Sequence, residues 1–348
     1  MEARDYFFRL SYQQYLKRGR EERAKWEPEV IHSVMKLMEP EKDIYKDKVA
    51  TFAESMSEIQ LKYSNSIQIE YLIKKIMEKE SKSHIMQVLQ TCWIAFGDFP
   101  ESKNAQVQTN AFFDGSHLIK INSELIVNIS RIVWLYTVML LLEDITSVAD
   151  FRDMVSLNTL KNKFLKDIKN DTDEGTAYLR ECFLSLDTKK VLNTFVTTFY
   201  ESALVFIMMH EIGHILELDD QACEALNIIS SQSEVSLQEK RMKAEENADL
   251  IGHIYSDEYV GESGFFNMGP ALVILAISVN RNDIQIQTDH PSIKNRYENV
   301  EAKAFDGKNS MDIMHTRNLL YKMNMRLQNE GCWNDEDKNW WMNRIGNI

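Results

Sequence analysis

Glycine and proline are scarce, 12 and 5 in 348 residues. Tight turns and bulges draw on those two residue types, so an architecture of many short hairpins is excluded and long helices are expected. Cysteine is scarcer still: Cys92, Cys182, Cys223 and Cys332 lie far apart and form no C-x-x-C pair. That spacing excludes a zinc knuckle or a disulfide framework and reads as free thiols of a cytosolic protein. Basic charge is in deficit, 40 Lys and Arg against 53 Asp and Glu for a formal net charge of −13. Non-specific nucleic-acid binding is thereby excluded, although a local basic patch is not. Long apolar runs are missing too. Residues 132–142, 203–209 and 271–279 fall short of the ~20 residues that span a bilayer, and Arg131, Glu143 and Glu201 flank them. The N-terminus opens on charge, Met1-Glu2-Ala3-Arg4-Asp5, and not on a signal-type segment. A soluble, cytoplasmic protein without membrane contact is expected. Its 44% hydrophobic and 27% charged content is that of an ordinary globular chain, long enough for one large or two modest domains.

Against that background, residues 203–216 stand out as a run apolar nearly all round, which marks a buried helix. Set into it are His210, Glu211 and His214, the pattern H-E-x-x-H. Histidines at i and i+4 lie one turn apart on the same helical face and can share one metal ion. Glu211 projects about 100° away from His210 and can reach a water beside the metal without ligating it. Burying three ionisable groups costs several kcal/mol unless something pairs with them, and a zinc ion would provide that pairing. A chance match with two hydrogen-bonded core histidines is the bland alternative. The residues favour a zinc hydrolase, most readily a peptidase.

A catalytic zinc takes three protein ligands, so a third is expected from a facing helix. Lys243-Ala244-Glu245-Glu246-Asn247-Ala248-Asp249 fits, within a helix expected over about 239–257 with Ala244, Ala248, Ile251 and Tyr255 as its apolar stripe. Small Ala248 and Gly252 would let the two helices approach closely. Glu245 and Asp249 are one turn apart, so Glu245 can ligate while Asp249 accepts a proton from a ligand histidine and fixes its tautomer. Glu246 is the rival ligand, on the neighbouring and wetter face with His253 and Asp257. Further on, His290-Pro291 opens a helix that carries Arg296. His290 and Arg296 could donate to the oxyanion formed when water attacks a carbonyl. On these residues alone the plainer reading is a helix cap and an arginine paired with a core carboxylate.

The rest of the chain reads as mainly α. Residues 1–105 form an N-terminal helical region, with apolar periodicity over 29–38, 46–63 and 67–79. Residues 106–122 change character, with β-formers flanking Asp114-Gly115, and predict a hairpin that either pairs with an extended substrate or caps the helical core. Residues 123–200 read as a helical insertion, broken near 166–175 by a surface loop without EF-hand spacing. Residues 301–348 form a C-terminal helical tail.

Taken in order, Asn110-Ala111-Phe112 with the Ile119/Ile121 strand, the H-E-x-x-H helix, Glu245-x-x-Ala248-Asp249 and His290-Pro291 with Arg296 resemble the gluzincin peptidases of the HtpX and CAAX prenyl protease type. The resemblance covers about residues 106–300 and implies a zincin-like core. It makes Glu245 the third zinc ligand, Asp249 the matching aspartate, and His290 and Arg296 the pair that stabilises the transition state. Members of that type are generally embedded in membranes. Soluble relatives with a similar H-E-x-G-H core include the ImmA-type regulator-cleaving proteases and the phage-exclusion protease Lit, so a regulatory or phage-defence protease acting on a protein or peptide substrate is implied. Two other readings stand beside it: a regulatory or binding protein whose zinc is structural, and a protease held inactive until a partner or phage product arrives, the partner calls being an activating protein or a homo-oligomer. Trp333, Trp340 and Trp341 could serve such docking, although ordinary packing of the tail is the simpler account.

Overall fold

The computed structural model describes residues 72–73, 75–80, 83–97, 105–108, 115–144, 151–182, 184–217, 236–261, 267–280, 293–304 and 320. The helices expected over 29–38 and 46–63, and the tail beyond 320, lie outside them. Within 67–79, residues 72–73 and 75–79 are helical where described, and Leu72, Ile73 and Ile76 are buried. Among the described residues the fold is mostly helical with a small three-stranded sheet.

The sheet begins where helix α1 (Ser83–Thr91) gives way directly to strand β1 (Cys92–Gly97). Thr91 closes the helix by donating its hydroxyl to the carbonyls of Gln87 and Val88. β1 departs from the helical reading of residues 1–105. Six residues rich in aromatic and apolar side chains carry no helical period, and pairing with β3 settles them as a strand. Strands β2 (Ala105–Gln108) and β3 (His117–Asn122) form the expected antiparallel hairpin, with Val107 opposite Ile119 and Ala105 opposite Ile121. Gly115 takes a φ of +71° in their connection, a conformation that glycine adopts without strain. Sheet order is β1-β3-β2, with β1 parallel to β3. The central place of β3 explains why Leu118, Ile119 and Ile121 are fully buried. Both hydrogen-bonding edges of β3 are taken, so within the hairpin it is β2 that lies at the edge of the sheet.

Asn122, the last residue of β3, accepts the amide of Glu124 at 2.9 Å and so caps helix α2 (Ser123–Asp144). Helices α3 (Phe151–Asn170) and α4 (Glu174–Glu181) meet at the expected break near 166–175. Asp167 organises that turn, accepting from the Thr172 hydroxyl at 2.6 Å and the amides of Glu174 and Gly175 at 2.7 and 2.6 Å. Buried Arg131 of α2 reaches Asp171 at 2.7 Å and Asp173 at 3.1 Å, and Trp134 stacks on Phe164. The loop is thus the expected surface loop, exposed at Asp171 and Asp173 and clamped by Arg131 and Asp167.

Helix α5 runs over Leu186–Leu216, 31 residues. The expected insertion boundary at residue 200 falls inside it. Helices α6 (Leu237–Val260), α7 (Gly269–Asn280) and α8 (Ile293–Ala304) follow. By length and composition, Ser123–Leu142 and Leu186–Leu216 could each cross a membrane, with 72% and 50% of their apolar windows buried inside the protein. The apolar runs seen in the sequence are therefore parts of longer helices, because residues such as Asn128 and Arg131 are accommodated within α2. Chain contacts group Met1–Glu124 with Met208–Glu234, and Leu125–Ile207 with Val235–Ile348.

Candidate metal centre

Helix α6 starts from a capping box. The Ser236 hydroxyl accepts the amide of Glu239 at 3.3 Å, and Glu239 in return accepts the amide of Ser236 at 3.0 Å. The hydroxyl first, and then the backbone amide, hold the Glu239 carboxyl below its ordinary value of 4.5. This cap begins the helix two residues before the expected start.

The facing sides of α5 and α6 meet in a fixed antiparallel register. Glu201 accepts the Tyr259 hydroxyl, Ser202 bonds Ser256 at 2.8 Å, and Phe206 packs over Gly252. From Ser202–Ser256 to Phe206–Gly252 the seam advances along α5 and retreats along α6 by one turn, as antiparallel helices require. Gly252 sets the closeness: a Cβ there would stand 2.7 Å from the backbone oxygen of Phe206. That outcome matches the expectation for Gly252, and Ala248 is fully buried one turn below it. The hydroxyls of Ser202 and Ser256 both lie against Oδ1 of Asn267, at 2.6 and 2.9 Å, in a wholly buried polar knot. Sequence reading missed this knot, although Ser202, Phe206, His210 and His214 recur every fourth residue and pointed to one shared face.

One and two turns beyond Phe206 on that face stand His210 and His214. Their rings are 4.9 Å apart between centroids and nearly perpendicular, at 88°. His210, His214 and Glu245 each offer a ligand atom, and these atoms all lie within 4.8 Å of one another. His210 and Glu245 are buried and His214 is partly exposed. Two imidazoles and one carboxylate make a donor set that suits zinc. The residues therefore fit the ion. Glu211 is also buried, at 6% exposure, on the turn that carries both histidines. Glu246 pairs with Lys243 at 2.9 Å on the wetter face, which separates it from the ligand group.

Asp249 and Arg296 are brought together. Nε and Nη2 of Arg296 donate to the two oxygens of Asp249 at 2.8 and 2.6 Å. Its Nη1 stands 3.9 Å from Oε2 of Glu245. An arginine paired with a core carboxylate is the plainer of the two readings that Arg296 offered, and the fork on Asp249 has that form. Sequence spacing locates α8 on the chain but not the face it turns toward α6. His290, Asn110, Ala111 and Phe112 lie outside the described residues. So do Cys223 and Cys332, whereas Cys92 and Cys182 are free thiols. Burial pushes the Cys92 thiol up to about 12 and raises that of Cys182. Compared with protein-family models, curated proteins and solved structures, this chain matches none of them.

Proposed function

We propose that this chain is a zinc-dependent endopeptidase with a zincin-like core, of the gluzincin kind that its motifs resemble. The observation that carries the reading is the convergence of His210 and His214 from α5 with Glu245 from α6, beside a buried Glu211. A purely structural site has no use for that fourth group, a carboxylate adjacent to the ligands but outside their set. When bound, zinc supplies a Lewis acid that acidifies water and polarises a carbonyl. The protein's own part is to hold the ion through three side chains and to move a proton. Glu211 accepts it from the attacking water and delivers it to the departing amide nitrogen. The low-exposure surroundings of His210, Glu211 and Glu245 keep bulk water from competing for those bonds. The substrate in this reading is a protein or peptide, handled in the cytoplasm.

Glu211→Gln tests the proposal, because the amide keeps the shape and cannot accept the proton. The variant is expected to retain zinc and to lose at least about 100-fold in turnover, the usual scale of general-base catalysis. Wild type and variant are expressed in cells and their newly formed peptide termini compared. Equal cleavage by the variant would sink the assignment.

A further inference from the structure

Glu245 and Asp249 present a choice that chemistry alone does not make. Both are buried carboxylates one turn apart on α6, and a carboxylate oxygen of either is an acceptable zinc ligand. What distinguishes them is Arg296 of α8. It engages both oxygens of Asp249 through a fork of two hydrogen bonds, at 2.8 and 2.6 Å, a geometry that fixes a carboxylate in orientation as well as position. Toward Glu245 it presents Nη1 at 3.9 Å, an ion pair longer than either bond of the fork, so the fork itself belongs to Asp249. Glu245, and not Asp249, then stands with His210 and His214 in the group able to hold an ion.

We infer that Arg296 is a positioning residue that assigns the roles of the two carboxylates: it holds Asp249 away from the metal and leaves Glu245 as the single carboxylate ligand. This rests on the metal reading proposed above. A charge count supports the same division of labour. Glu245, Asp249 and Arg296 together carry one negative charge, the same as one carboxylate alone. Loss of the guanidinium would leave two negative charges and two competing donors within reach of a dication. The role differs from transition-state stabilisation, because Arg296 acts on the ligand set and not on the substrate.

The test uses the full chain loaded with cobalt(II), whose visible absorption weakens when four-coordination gives way to a higher number. Arg296→Ala is expected to weaken the bands as Asp249 joins the ion. The double variant Arg296→Ala/Asp249→Asn, which removes the competitor and restores the charge count, is expected to return the spectrum to that of wild type. A merely structural role for Arg296 gives no such rescue. If Arg296→Ala does not fold by circular dichroism, Arg296→Lys takes its place: one amine keeps the charge but loses the fork, and the bands weaken in the same direction. A single variant whose spectrum equals wild type, or a double variant as altered as the single one, overturns the inference. Wild type that takes up neither cobalt nor zinc overturns the metal reading itself, a separate and recognisable result.

Discussion

Arg296 grips Asp249 through Nε and Nη2 while its remaining terminal nitrogen stops 3.9 Å short of Glu245. Both members of the gripped pair are buried, at 8% and 4% exposure, so each charge depends on the other for the solvation it gave up. Removal of one partner strands a charge. Asp249→Ala is expected to lose about 3–5 kcal/mol of folding stability, the usual cost of breaking a buried pair. Asp249→Leu combined with Arg296→Met is expected to lose much less than the sum of the single changes, as urea denaturation of the metal-free protein would show. Additive losses would mean that the pair does not act as a unit.

Metal removal is the second prediction. A ligand that binds only the folded chain stabilises it by about 2.7 kcal/mol when present at 100 times its Kd. Chelation of the zinc-loaded protein is expected to lower Tm, and the Tm of His214→Ala is expected to ignore the chelator. Calorimetry on both proteins checks this, and an equal response of the two would contradict the assignment of His214.

The third prediction concerns helix spacing. Gly252→Ala places a methyl group 2.7 Å from the Phe206 carbonyl oxygen, a backbone atom that cannot swing aside. Overpacking of this sort costs about 1–3 kcal/mol. The change is expected to lower Tm and to weaken zinc binding together, because the same two helices bear the ligands. Loss of stability with unchanged zinc affinity would show that the seam and the metal group are uncoupled.

Acid sensitivity of α6 follows from its cap. The Glu239 carboxyl is held below 4.5 by the Ser236 hydroxyl and amide. A depressed folded value means that this stabilisation is full above the unfolded value and is lost as pH falls through the folded one. Glu239→Gln is therefore expected to be less stable than wild type at pH 7, with the gap closing as pH drops below about 4.3. Thermal unfolding at stepped pH reads it directly, and a gap independent of pH would refute the cap's ionic character.

The metal group was legible because its parts are local. His210 and His214 are one helical turn apart on a single apolar segment, so their shared face follows from 3.6 residues per turn whatever else the chain does. Glu245 was legible at one remove, from the apolar stripe on its own helix, and the Lys243 pairing of Glu246 agrees with that choice. β1 was not legible: Cys92–Gly97 is too short for a period to show, and its partner β3 lies beyond β2 in the chain. Nor were the Ser202, Ser256 and Asn267 knot or which carboxylate Arg296 would take, since Ser202 lies 54 positions from Ser256 and Asp249 lies 47 from Arg296.

By itself, then, the sequence determined the mostly helical character, the β2–β3 hairpin, the apolar helix around H-E-x-x-H, and the second helix with its row of carboxylates. Those follow from composition and from periods that repeat within one element. Only the tertiary structure decided that β3 is central, that α5 begins well before residue 200, and that Arg296 turns to Asp249. Such choices depend on which faces meet across the fold, and backbone spacing along a single chain carries no record of that.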